Sequence, residues 1–212
     1  MEQLDPAVLL ALSYAVSGRN AAAALLALDQ RLAAILRRTN DPLIGQMRLT
    51  WWREALERLD RAPAPAEPVL SALAAEVLPA DVRGADLARI VDGWEALIEE
   101  PFDTAAIERH AERGSVLFSA IGRVIGATGD PVGLAGEGWA LADLALHVSD
   151  AATRDAAASA ARTRLERALL HGWSRRGRML GGLTHLAQLD LAGRTHSARR
   201  VWRLLAHRLT GR

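Results

Sequence analysis

DPLIGQMRLTWWREALERLD, residues 41–60, decides the fold class. Its opening Asp-Pro pair is a helix start: the carboxylate caps free N–H groups, and Pro at the first helical position has no N–H to leave unpaired. Ile44, Met47, Trp51, Trp52, Ala55, Leu56 and Leu59 follow at helical spacing. The segment predicts a helix over 42–60 with both indoles buried among neighbouring helices and Arg48 or Arg53 turned toward an interior cavity. The plainer reading of the same residues is a core helix whose arginines pair with Glu54 and Glu57.

The same signals run outward in both directions. Asp5-Pro6 caps a helix over 6–17, which Gly18 and Asn20 break, and a second helix follows at 20–38. RAPAPAEP, 61–68, is a loop, since repeated Pro forbids helix and ladder alike. Further helices read at 69–78, 84–99, 104–112, 115–127, 137–149, 151–170, 178–190 and 195–209. No period-2 segment stands out, and hairpin dipeptides are absent. Ala and Leu dominate while strand formers are scarce. The expectation is a single all-α domain over 1–212, a bundle of about ten helices.

Composition excludes several chemistries. There is no Cys, which removes disulfides, thiolate metal sites and cysteine nucleophiles. All 26 basic residues are Arg, so Schiff-base and P-loop lysines are excluded. The six histidines show no HExxH motif, and the glycines of GRVIGATGDPVGLAGEG follow no strand, so the dinucleotide reading fails its context. MEQLDPAVLL carries acids where a signal peptide needs basic residues, and no apolar run is long enough to span a bilayer. A cytoplasmic location is expected.

Charge is distributed unevenly. Residues 1–150 hold 13 Arg against 22 acids, and residues 151–212 hold 13 Arg against 3. That basic quarter suits an anionic partner. In HGWSRRGRMLGG, 171–182, Arg175, Arg176 and Arg178 either receive an anion or form a solvated turn. The helix at 195–209 sets Ala198, Val201, Trp202, Leu205 and Leu209 on one stripe and His196, Arg200, Arg203 and His207 on another, with Arg199 beside it. It fits an anionic membrane surface or a partner groove, or docks on the core with its arginines exposed.

Residues 1–60 resemble the squalene/phytoene synthase family. The resemblance rests on an aromatic near Tyr14, on LLALDQRLAAILR (25–37), and above all on MRLTWWREAL (47–56); the tail LAHRLTGR (205–212) adds weak support. It implies the all-α isoprenoid synthase fold. Active members hold Mg²⁺ between two aspartate-rich motifs on facing helices, because a departing diphosphate needs its charge neutralised by hard cations on oxygen ligands. Counted back without gaps from Trp51, the first motif falls on Ala33, Ala34 and Arg37, so its carboxylates are gone and Asp29 is the acid left on that helix. EGWALADLALHVSD (137–150) offers Asp143, His147 and Asp150 without restoring the second motif.

The resemblance thus implies a relative that binds an isoprenoid or lipid without catalysis, or an accessory or assembly factor with a protein partner, as in a non-catalytic branch of the family. No cofactor and no metal site are expected. A working prenyltransferase with Mg²⁺ on Asp29, Asp143 and Asp150 is the rival. An Arg-rich membrane-surface or RNA binder is a third reading, with nucleic acid the less expected partner. Arg37, Arg48 and Arg53 are the candidate diphosphate-binding residues. Tyr14, Trp51, Trp52, Ser115, Ser119 and Gly122 are the candidates to line a prenyl cavity.

Overall fold

The structure, a computed structural model, describes residues 6–39, 41–99, 102–193 and 197–212. The expectations for Asp5, Asn40, His196 and the side chain of Arg199 lie outside the described residues. Among these there are ten α-helices and no strand: α1 (Pro6–Leu12), α2 (Arg19–Arg38), α3 (Pro42–Arg58), α4 (Pro68–Glu76), α5 (Gly84–Glu95), α6 (Thr104–Ile125), α7 (Val132–His147), α8 (Ala151–Leu169), α9 (Arg178–Leu191) and α10 (Ser197–Thr210). The architecture is all-α, as the sequence implies.

Side-chain caps set four of the helix starts. Asp41, Glu67, Asp103 and Asp150 accept hydrogen bonds from the N–H groups of Leu43, Leu70, Ala106 and Thr153, each inside the first turn of its helix. Asp150 is therefore a helix cap, and its carboxylate is spent on α8. Pro42 and Pro68 stand at the first helical positions. Gly126, at φ 74°, ends α6 in the left-handed conformation that favours glycine.

Two helices expected over 104–112 and 115–127 are one. Gly114 marks a close approach rather than a break. A Cβ at Gly114 would overlap the carbonyl oxygen of Gly136, and one at Gly136 would overlap that of Gly114. The two glycines let the backbones of α6 and α7 cross in near contact, which neither helix could do with a side chain there. α7 also begins earlier than expected, at Val132.

Around this crossing the core forms two clusters. One draws residues from all ten helices around Leu25, Leu28, Leu56, Ile90, Phe118 and Leu180. The other packs α6, α7, α8 and α9 around Leu141, Ala157, Ala161 and Leu165. Trp139 and Leu97 pack against both.

α3 differs from its expectation. It packs inward through Gly45, Leu49, Trp52, Ala55 and Leu56. Leu43, Ile44, Met47 and Trp51 lie on the outer face, and Trp51 is 47% exposed. Trp52 is buried as expected; Trp51 meets it only edge-on, with ring centroids 5.4 Å apart. Of the apolar stripe that the periodicity defines, Trp52, Ala55, Leu56 and Leu59 turn inward and are joined by Gly45 and Leu49, while Ile44, Met47 and Trp51 stay outside.

Candidate functional site

A cavity of about 320 Å³ opens between α2, α6, α7 and the chain that follows α5. Its apolar wall is Ala33, Leu36, Leu97, Phe102, Leu144 and Val148, and its polar residues are Arg37, His110, Asp143 and His147. Two of the positions where the resemblance expects metal-binding carboxylates, 33 and 37, thus face the α7 residues Asp143 and His147 across it. The geometry of facing helices is present, and the side chains on it are different.

Beside the cavity stands a side chain that sequence reasoning missed. Arg113, on α6, is fully buried. Its Nη1 donates to Asp29 Oδ1 at 2.5 Å, and its Nη2 lies 3.7 Å from Asp143 Oδ2. The Trp94 indole donates to the same Asp29 oxygen at 3.1 Å. The guanidinium is 4.1 Å from the Trp94 ring centroid and 5.4 Å from that of Trp139, so aromatic faces replace water around the charge. Gly93 makes the room: a Cβ there would overlap Cβ of Arg113. The one signal available was an arginine set among the small residues of ERGSVLFSA, with no acid at helical spacing to satisfy it.

The titratable groups here are pushed apart. Burial raises the Asp29 carboxyl against the pull of Arg113, with Asp143 adding to the rise. Asp143 is held below its ordinary range despite burial, by the hydrogen bond from His147 and the charge of Arg113. His147 Nδ1 lies 3.2 Å from Asp143 Oδ1, and that contact lifts the imidazole to about 9. Arg37 is close enough to push back against the His147 charge. His110 is neutral: burial, then Arg113, lowers it to about 3, and its Nδ1 lies 2.8 Å from the Gly93 carbonyl. The mouth of the cavity therefore carries two neighbouring cations, Arg37 and His147.

The remaining sequence candidates lie elsewhere. Arg48 donates to Thr39 Oγ1 and borders a shallow groove with Trp51 and Trp52. Arg53 pairs with Asp92 at 2.7 Å and with Glu95, so neither arginine turns into the cavity. Ser115 and Ser119 line a separate polar groove with Arg83, Arg89, Glu112 and Arg123. Gly122 faces Val132. Tyr14 is buried beneath the Arg208 guanidinium, 5.1 Å from its ring centroid. Asp150 is the α8 cap already described. In the 171–182 segment, Ser174 donates its N–H and Oγ to Asp130, and Arg178 donates to the Arg208 carbonyl, which ties the turn down.

Among the described residues no three His, Asp or Glu side chains gather as a metal site. No described helix is long and apolar enough to cross a membrane. No curated protein and no solved structure matches the chain. The family model for squalene/phytoene synthase matches residues 9–132, which spans α1 to α6 and includes Asp29, Ala33, Arg37, Trp51, Trp52 and Arg113, and stops where α7 begins. By that match, over more than half of its length, the chain belongs to the squalene/phytoene synthase family.

Proposed function

We propose that this protein is a non-catalytic member of its family that holds an isoprenoid or other lipid in the α2/α7 cavity and acts as an accessory or assembly factor. The observation that carries the reading is Arg113, whose guanidinium stands between Asp29 and Asp143. Mg²⁺ takes near-octahedral oxygen ligands, and two such ions on a diphosphate need several carboxylates. Asp29 already gives one oxygen to a guanidinium and an indole, and Asp143 is engaged by His147 and Arg113. Ala33, Ala34 and Arg37 offer no oxygen. These residues do not fit the metal.

They fit a different ligand. The cavity is near the small end of small-molecule sites, apolar over most of its wall, with Arg37 and His147 as neighbouring cations. An amphipathic molecule with a hydrocarbon chain and an anionic head satisfies both features. The head relieves the repulsion between the two cations and receives charge-assisted hydrogen bonds without a metal.

Two measurements test this. Incubation with prenyl diphosphates and Mg²⁺ is expected to yield no condensation product above a protein-free control. Calorimetric titration with a prenyl diphosphate in EDTA is expected to show binding that weakens in Arg37→Gln. Product that requires Mg²⁺ and disappears in Asp29→Asn would establish the transferase instead.

A further inference from the structure

α10 packs with its polar side inward. Arg200 Nη2 lies 3.3 Å from Asp190 Oδ2, Arg203 Nε donates to His185 Nδ1 at 3.2 Å, and His207 is buried with Nε2 3.2 Å from the Arg178 carbonyl. Leu204 is its one large apolar side chain in the core. Beyond the helix, the Gly211 carbonyl accepts from the Trp173 N–H at 2.8 Å and fixes the orientation. In consequence Val201, Trp202, Leu205 and Leu209 point away from the body, and Trp202 and Leu209 are 73% and 79% exposed. Spacings of one, four and eight put the four on one stripe. α1, packed beside α10, also exposes Leu9. Four exposed apolar side chains gathered on one helix face point to an interaction surface.

Charge identifies what covers it. Residues 197–212 contain five Arg and no acid. A second copy of this helix would bring two such segments together and repel. A surface of anionic headgroups over hydrocarbon complements both features: the apolar stripe and indole enter the interfacial layer, and the exposed Arg208 and Arg212 meet the phosphates. Fourteen residues are too few to span a bilayer, so the helix lies in the membrane plane.

We infer that α10 is an interfacial membrane-docking helix for anionic bilayers, inserted through Val201, Trp202, Leu205 and Leu209. The inference is independent of the cavity ligand. It takes up the sequence expectation of an anionic membrane surface over the alternative of a helix docked on the core with its arginines exposed.

Co-sedimentation of the full chain with vesicles of phosphatidylcholine alone, or mixed with phosphatidylglycerol, tests it. Binding is expected to the mixed vesicles and not to phosphatidylcholine alone, and to weaken at high salt. Trp202→Ser with Leu209→Ser is expected to lower the partition coefficient by about tenfold or more, since a shallow helix binds through its buried apolar area. Both side chains are exposed, so the variant's helicity and melting temperature are expected to match the parent. Trp51→Ser, on the exposed face of α3, is the control and is expected to leave binding unchanged. Equal binding of parent and double variant overturns the inference, as does a failure of the parent to bind. Concentration-dependent self-association that the double variant abolishes, with vesicles ignored, assigns the stripe to a protein contact and overturns it too.

Discussion

Arg113 on α6 and Asp29 on α2 form an enclosed ion pair beside the α2/α7 cavity, Nη1 to Oδ1 2.5 Å. Removing one member of such a pair strands a charge out of water, which costs about 3–5 kcal/mol. Arg113→Ala is therefore expected to lower the denaturant midpoint sharply. Arg113→Met with Asp29→Asn, which removes both charges and keeps the volume, is expected to recover most of that loss. An unchanged midpoint in Arg113→Ala would mean that the pair is not formed in solution.

The histidines predict a stability maximum near neutral pH. Burial lowers His110, His185 and His207 to about 3, 3 and 4, whereas the unfolded chain binds these protons near the ordinary 6.5. Their contribution is complete above pH 6.5 and is lost as pH falls toward those values. His147 has the opposite sign. Raised to about 9 by Asp143, it contributes fully below 6.5 and loses that contribution as pH rises through 9. Urea midpoints measured from pH 4 to 10 are expected to fall on both sides of neutrality. His147→Gln is expected to remove the histidine part of the alkaline fall and leave the acid limb in place. A profile without an acid limb would contradict the burial of the three neutral rings.

Gly114 is expected to tolerate no side chain. A methyl group there meets the Gly136 backbone, which has no rotamer with which to yield. Overpacking of this kind costs about 1–3 kcal/mol or more. Gly114→Ala is expected to lower the melting temperature, whereas Ala at Gly129, where nothing lies within 4 Å of the added carbon, is expected to have little effect. Equal behaviour of the two variants would refute the close crossing of α6 and α7.

The paired indoles are expected to separate in their energetics. Truncating a buried Trp costs about 3–5 kcal/mol, and Trp52 is 5% exposed. Trp51, half in solvent, is expected to cost less than about 1 kcal/mol. Thermal denaturation of Trp52→Ala and Trp51→Ala compares them directly. Similar losses would place both rings in the core.

Helix positions were legible because local chemistry fixes them: Asp41 and Pro42 start α3 whatever it packs against, and the proline-rich 61–68 segment stops it. Direction was not. Ile44, Met47 and Trp51 make a stripe that reads as a core face, and only the packing of Gly45, Leu49 and Trp52 shows which side turns inward. The same holds for α10, where Arg200 and Arg203 face Asp190 and His185, some ten and eighteen residues back along the chain. In the cavity Arg37 and Asp143, and beside it Asp29, were visible as candidates. Arg113 was not, because its partner Asp29 is 84 residues away in sequence and nothing local announces it.

The Arg113–Asp29 pair also constrains where this lineage can go next. Removing Asp29 would leave Arg113 enclosed without its counter-charge. Discarding Arg113 first would leave Asp29 enclosed without one. Either single step strands a charge out of water and yields a less stable protein. The two residues can therefore change only together, so the internal pair works as a ratchet: selection can retune the cavity around it far more readily than it can alter the pair itself.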